Sequence, residues 1–216
     1  MDNTILFAIN NCNNIFIDHV MLRASGTWTW SLMALAILLL IIKDHSFKQT
    51  VLLFLGIVLC ILFADQVTST LIKPMVERLR PCQDPHIMYQ LRSIGGVGRG
   101  YSFPSSHAAN NFAVITYLSL VFRHKITIIL LYLWALLVCY SRVYLAMHFP
   151  SDVLAGALIG FLIGALVYGM VLLTQKRLMP SQMTYYSDAY TKTGYNVNDM
   201  YLLVSAIALT FLYVLV

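Results

Sequence analysis

Charge is what this sequence lacks most. Only 11% of its 216 residues are Asp, Glu, Lys or Arg, against roughly 25% in an average soluble domain. The nine acidic residues are too few for the solvated surface of a water-soluble enzyme, and the low charge excludes a disordered chain or a nucleic-acid-binding tail. Cysteine is sparse as well. Cys12, Cys60, Cys82 and Cys139 include no CxxC pair and no metal-ligand spacing. Cys60 and Cys139 lie inside apolar runs, while Cys12 and Cys82 can both face the outside, where a disulfide between them is one option. No internal repeat or low-complexity tract is present. The glycine-rich stretch Gly95–Gly100 lacks the GK[ST] ending of a P-loop, so no nucleotide is expected. The first 21 residues do not read as a secretion signal, because no basic flank precedes them and Asn10, Asn11, Asn13 and Asn14 break the apolar run.

What is abundant is apolar sequence. Hydrophobic residues make up 59% of the chain and mean hydropathy is +0.75. They cluster in long uncharged blocks, too many for one buried core, as expected of an integral membrane protein in which each spanning helix needs about 20 residues. The expected fold is all-α: six transmembrane helices in one bundle, over about 27–42, 50–72, 108–122, 126–147, 153–174 and 200–216. Ahead of them, Ile5, Ile9, Cys12, Phe16 and Val20 recur at spacings of three and four, which predicts one amphipathic helix over 1–23 lying at the membrane interface or packed on the bundle.

Lys43 and Lys48, Arg123 and Lys125, and Lys176 and Arg177 all fall in connectors on one side of a six-span chain, which the positive-inside rule makes cytoplasmic. Loops 43–49, 123–125 and 175–199 are therefore expected inside, and the connectors near 73–107 and 148–152 outside. The Tyr-rich stretch of the last loop (Tyr185, Tyr186, Tyr190, Tyr195) has no functional reading. The outer connector near 73–107 breaks the rule, since it carries Lys73, Arg78, Arg80, Arg92 and Arg99. Basic residues on the wrong side need another reason, and an anionic ligand supplies one.

Three polar groups face that side. Lys73 and Arg80 frame a K-x6-RP segment. On a helix started by Pro74 and ended by Pro81 they would share a face, or they could simply snorkel at the interface. Pro104-Ser105-Ser106-His107 precedes the third span, where a helix N-cap and a phosphate-binding helix terminus are compatible readings. Ser141-Arg142 lies in the outer part of the fourth span. His148 and Asp152, four apart, would stack on one face if helical, either with the carboxylate holding one imidazole nitrogen while the other faces a substrate or as a structural hydrogen bond. Converging at one membrane depth, they supply three cations, two imidazoles and an orienting carboxylate, a set suited to phosphoryl chemistry. Asp65, in the outer part of the second span, reads as a structural partner of one of these cations.

In order, spacing and placement the three groups resemble the tripartite signature of the type-2 phosphatidic acid phosphatase superfamily: K-x6-RP, PSGH and SR-x5-H-x3-D. The departure is Ser106, where the pattern has glycine; serine keeps the backbone N–H and adds a hydroxyl, so a small change in the pocket is expected. The resemblance implies a lipid phosphate phosphatase working without cofactor or metal. His148 would be the nucleophile, Asp152 its orienting partner, and His107 the acid for the leaving oxygen and then the base for water. Lys73, Arg80, Arg142, Ser105 and Ser106 would bind the phosphate oxygens, and Arg92 or Arg99 would add secondary headgroup contacts. The partners implied are the bilayer and a lipid with a phosphate headgroup, with no nucleic acid. Polyprenyl (undecaprenyl) diphosphate and lipid A are favoured, and phosphatidate and phosphatidylglycerophosphate are possible. The site would face outward, on the periplasmic side of the plasma (inner) membrane. Rival readings are a lipid-to-lipid phosphotransferase using the same residues and a non-enzymatic channel or transporter.

Overall fold

The computed structural model describes residues 1–178 and 189–216. Nine α-helices occur among them: α1 (Asp2–Asn10), α2 (Ile15–Ser25), α3 (Ser31–Asp44), α4 (Phe47–Asp65), the short α5 (Lys73–Val76), α6 (Ser106–Phe122), α7 (Lys125–Tyr144), α8 (Pro150–Leu178) and α9 (Val197–Leu215). Among the described residues five stretches are long and apolar enough to cross a membrane: Thr27–Asp44, Phe47–Gln83, Lys125–Tyr144, Pro150–Leu178 and Val197–Leu215. The sixth helix of the bundle, α6, has 17 residues. At about 1.5 Å per residue it is slightly shorter than the hydrocarbon layer, and its neighbours enclose it, burying positions from Ala108 to Phe122. The chain is a multi-pass, all-helical membrane protein. A helix covers each of the six stretches expected to span, with ends shifted by a few residues, and the one over 106–122 falls short of the length that the other five reach.

The N-terminal segment differs from the single helix expected. The Asn14 side chain accepts hydrogen bonds from the backbone N–H groups of Phe16 and Ile17, capping a new helix and splitting the segment into α1 and α2. Asn10 is fully buried. Its side chain donates to the carbonyls of Tyr144 (2.8 Å) and Arg92 (3.1 Å) and accepts from the Arg92 N–H (2.8 Å). Asn10, one of the asparagines that break the apolar run, therefore fastens α1 to the C-terminal end of α7.

Three glycines on one stripe of α8 set the centre of the bundle. A Cβ at Gly156, Gly160 or Gly164 would fall on the carbonyl oxygens of Ser105, Ala109 and Ala113 respectively. Small residues at i, i+4 and i+8 thus let α8 touch the backbone of α6, the closest kind of helix contact in a membrane. On the other side of α6, Tyr117 lies over Gly56 of α4 and donates to the Leu53 carbonyl at 3.0 Å. Trp134 of α7 is wedged edge-on between Trp30 and Phe211, with ring centroids 5.3 and 5.4 Å away. At the end of the bundle formed by the 45–46 and 123–124 connectors, Lys43 pairs with Asp199 at 2.7 Å, and Tyr195 is buried between His45 and Phe122. Tyr195 is thus a packing residue, while Tyr185 and Tyr186 lie outside the described residues. All four cysteines are free thiols.

Candidate active site

The opposite end of the bundle gathers the polar groups. There α4 ends in a π-helical stretch, Gln66–Ile72, followed by α5. Glu77 then adopts a left-handed conformation (φ 50°) and stops the helix. Arg80 follows in extended backbone, and Pro81 opens a 3-10 turn. Lys73 and Arg80 therefore do not share one helical face as their spacing suggests. The left-handed residue reverses the chain between them and still leaves the two cations close enough to act on each other electrostatically.

The Arg80 side chain is built into the loop that covers it. Its Nε donates to the carbonyls of Arg99 (3.2 Å) and Gly100 (3.1 Å) and its Nη1 to the carbonyl of Met147 (2.9 Å). A Cβ at Gly98 would lie 2.6 Å from Arg80 Cδ, so the glycine-rich stretch is bare where the arginine passes beneath it. These glycines hold a buried guanidinium.

His148 is reached from the other direction. Past the end of α7, Ala146 turns the backbone with φ 55°, and Pro150 starts α8 with its ring in the first helical turn, where its missing N–H costs nothing. His148 thus sits in the turn before α8 and not on one helical face with Asp152. The carboxylate of Asp152 curls back over that turn instead. Its Oδ2 accepts from the Phe149 N–H (2.9 Å) and from Ser102 Oγ in a short hydrogen bond, and lies 3.7 Å from His148 Nδ1. On the far side of the ring, Arg80 Nη1 lies 3.2 Å from Nε2. A carboxylate on one nitrogen and a guanidinium donor on the other assign the proton to Nδ1 and leave a lone pair on Nε2. His148 is 1% exposed. Burial, helped by the nearby charges of Arg80 and Arg142 and opposed by Asp152, moves its ionisation well below the ordinary imidazole range. It is a neutral imidazole at physiological pH.

His107 lies in the first turn of α6, beside Ser105, which caps the helix by accepting from the Ala108 N–H at 3.4 Å. The Ser105 N–H donates to the backbone carbonyl of Asp152 at 3.0 Å and so ties the start of α6 to α8. Arg142, His148, Arg80 and Lys73 all lie near enough to His107 for their charges to bear on it. Arg142 donates through Nη1 to Ser25, and its buried Nε has no hydrogen-bond partner among the described residues. The structure therefore brings His148, His107, Asp152, Lys73, Arg80, Arg142 and Ser105 together.

Two candidates face elsewhere, and a third stands apart. The Ser106 hydroxyl turns toward α4, 3.0 Å from both Thr68 Oγ1 and Ser69 Oγ, and Ser69 donates in turn to Asp65 at 2.8 Å. Ser106 contributes its backbone N–H to the helix start while its hydroxyl serves packing between helices. Ser106→Gly is accordingly expected to leave kcat within about twofold of wild type and to lower stability by about 1 kcal/mol, as initial rates and thermal melting in detergent will show. Arg92 is engaged by Asp18 and by the carbonyls of Asn10 and Cys12, away from the other site cations. Arg99 is exposed, and its backbone carbonyl, not its side chain, serves Arg80.

Two site residues have no role that the sequence motifs assign. Ser102 bridges Asp152 and lies 3.4 Å from His148 Nδ1. Arg78, counted above only as an outer cation, donates to Asp152 Oδ1 at 2.7 Å and lies 3.9 Å over the Phe149 ring. Its position two residues before Arg80 in an extended segment is the one signal that points to it. Among the described residues no cluster of His, Cys, Asp and Glu is arranged to hold a metal ion.

Comparison with known proteins gives the same picture. The model of the PAP2 superfamily matches residues 54–176, which contain all three polar groups. A lipid A 4'-phosphatase of Bacteroides thetaiotaomicron is 36% identical over 170 residues, covering 78% of this chain and 76% of that protein. The crystal structure of a PAP2-type phosphatidylglycerolphosphate phosphatase from Bacillus subtilis superposes with a TM-score of 0.60 at 23% identity, over 84% of this chain and 87% of that one. Aquifex aeolicus LpxE follows with 0.54 at 26% identity, over 77% and 93%. With the family's three groups assembled at one end of a shared helical fold, the chain belongs to the PAP2 superfamily and is a membrane lipid phosphatase.

Proposed function

We propose that this phosphatase hydrolyses a phosphate monoester of a lipid A-type glycolipid at the outward membrane surface, through a phosphohistidine at His148 and without a metal ion. One observation carries the reading: the buried His148 ring has Nδ1 toward Asp152 and Nε2 toward Arg80. This is the polarity needed for Nε2 to attack phosphorus while a cation neutralises the phosphate oxygens. The neighbouring charges act in the same sense. Lys73, Arg80 and the unpartnered Nε of Arg142 offer donors to an anion, and the N-terminus of α6 adds free backbone N–H groups.

In the first step the Nε2 lone pair forms the N–P bond, the P–O bond to the lipid breaks with its electron pair on oxygen, and His107 delivers a proton to that oxygen. The imidazolium charge that develops on His148 is met by Asp152 through Nδ1–H. In the second step His107 takes a proton from water as the water oxygen attacks phosphorus, and the N–P electrons return to Nε2. The phosphate dianion is the counter-charge that lets His107 carry its proton among so many cations.

The outward orientation rests on the cations of the opposite connectors, Lys43, Lys48, Arg123, Lys125, Lys176 and Arg177. The substrate class rests on the Bacteroides relative, named for lipid A. Phosphate release in detergent with EDTA, measured on lipid A, undecaprenyl diphosphate and phosphatidate, tests it. Lipid A is expected to give the highest kcat/KM, with activity unchanged by the chelator. A tenfold preference for another lipid would reassign the substrate, and loss of activity in EDTA, restored by a divalent ion, would overturn the metal-free mechanism.

A further inference from the structure

We infer that Asp2, in α1, is a positioning residue for the catalytic histidine: its carboxylate holds Arg78 and Ser151, and through them fixes Asp152 against His148. The inference rests on His148 acting as nucleophile. It follows from a chain of contacts between residues far apart in the sequence. Arg78 Nη1 donates to Asp152 Oδ1 (2.7 Å) and to Ser151 Oγ (2.8 Å), and its Nη2 donates to Asp2 Oδ2 (3.0 Å). Asp2 Oδ1 accepts from the Ser151 N–H at 3.0 Å, and its Oδ2 accepts from the Ser151 hydroxyl in a short hydrogen bond. The Ser151 N–H belongs to the first turn of α8, whose donors have no partner within their own helix. Asp2 therefore acts as a capping carboxylate supplied by a distant helix.

This arrangement bears on the chemistry because of how the two oxygens of Asp152 are shared. Its Oδ2 faces the imidazole and is held by Ser102 and the Phe149 N–H. Its Oδ1 has Arg78 as its charged partner. Asp152 itself is fully buried, so without Arg78 a buried charge loses its compensation and the carboxylate loses the contact that fixes its Oδ1 side, leaving Ser102 and the Phe149 N–H alone to aim it at Nδ1. Arg78 cannot hold itself in place. Its side chain is 30% exposed, and a long side chain at a surface samples many rotamers unless it is pinned. Phe149 supplies one face, 3.9 Å from the guanidinium carbon, and Asp2 grips the second nitrogen.

Asp2 can do this only if α1 is rigid, and the helix is fastened at its middle and at its C-terminal end. Leu6 and Asn10 are fully buried, and Asn10 is tied to α7 and the outer loop. The Asp2 carboxyl is also in the ionised form that binds. Although burial opposes ionisation, Ser151 and Arg78 hold its pKa below the ordinary carboxylate value. The result is an alternating row of charge, Asp2, Arg78, Asp152 and the imidazolium that develops on His148.

The test compares kcat and KM on the best of the three lipids for wild type, Asp2→Asn, Arg78→Ala, the double variant, His148→Ala and Asp18→Asn. Asp2→Asn keeps the size of the side chain and an acceptor for Ser151 while removing the charge. It is expected to lower kcat about tenfold with KM unchanged within about twofold. Arg78→Ala should lower kcat at least as far, and the double variant no further, because both act through one contact. Asp18→Asn weakens the Arg92 ion pair that fastens α2 and should lower the melting temperature while leaving kcat alone. Wild-type kcat in Asp2→Asn, or losses in the double variant that multiply, would overturn the inference. A kcat loss of equal size in Asp18→Asn would overturn it too, by reducing Asp2 to a general anchor. If Asp2→Asn does not accumulate as folded protein, Arg78→Lys, which leaves the Asp2–Ser151 contacts in place, must show the kcat loss at constant KM, and normal kcat there overturns the inference. Failure of the underlying mechanism looks different: His148→Ala would retain activity whatever the Asp2 variants do.

Discussion

His148→Ala is expected to reduce phosphate release by on the order of 10⁴-fold or more, with little change in KM. The binding side of the site keeps its other supports when this ring is lost, although Arg80 gives up its contact with Nε2. Arg80 is held by carbonyls of Met147, Arg99 and Gly100, Arg142 by Ser25, and Ser105 by the start of α6. The phosphate should still dock among them, and the remaining route, direct attack by water activated by His107, lacks the imidazole that splits one difficult displacement into two easier ones. The measurement is single-turnover hydrolysis of a ³²P-labelled lipid followed by an acid and base quench. Wild type should show a protein-bound label stable to base and labile to acid, and the variant none. Labelled protein from the variant, or a rate within tenfold of wild type, would move the nucleophile to another residue. The pH profile adds a sign. Because His148 ionises well below the ordinary imidazole range, its neutral, attacking form persists as pH falls past 6.5, and the nucleophile is lost only below that.

The parts of this molecule that are legible in its sequence are those decided locally. Six apolar blocks give six helices because a helix in lipid must be apolar along its length. The order of the three polar groups survives folding because each is a few residues long and attached to the end of one span. What is not legible depends on contacts between distant residues. Nothing near Asp2 announces Ser151, which lies 149 positions away, and nothing near Arg78 shows which oxygen it serves. Taken alone, the motif directs the Ser106 hydroxyl to phosphate, whereas Thr68 and Ser69, from a π-helical turn that no periodicity foretells, take it up. Arg92 looks free in the sequence because Asp18 lies beyond an asparagine-broken segment whose folding back against α7 only the structure shows. The local patterns place the reacting groups, and the long-range contacts orient them.

Those contacts depend on the α6–α8 crossing, so the second large effect is expected at Gly160→Leu. A Cβ there meets the Ala109 carbonyl, and Ala113 N lies 2.9 Å from it. These are backbone atoms, so no rotamer change relieves the clash and the helices must part. Overpacking at a fixed crossing is expected to cost about 3 kcal/mol or more, and separation exposes backbone contacts that only small residues permit. The consequence reaches the chemistry because α6 carries His107 and α8 carries Asp152, with the Ser105 N–H bonded across them to the Asp152 carbonyl at 3.0 Å. The control lies in the same helix. A Cβ at Gly169 would meet nothing within 4 Å, so Gly169→Leu adds the same atoms facing open space and should change stability by no more than about 0.5 kcal/mol. Thermal unfolding and phosphate release of the two variants in detergent separate the explanations. Close approach of the helices predicts that Gly160→Leu loses both its cooperative transition and its activity while Gly169→Leu keeps both. Equal behaviour of the two would mean that added side-chain bulk on α8, and not its contact with α6, governs the bundle.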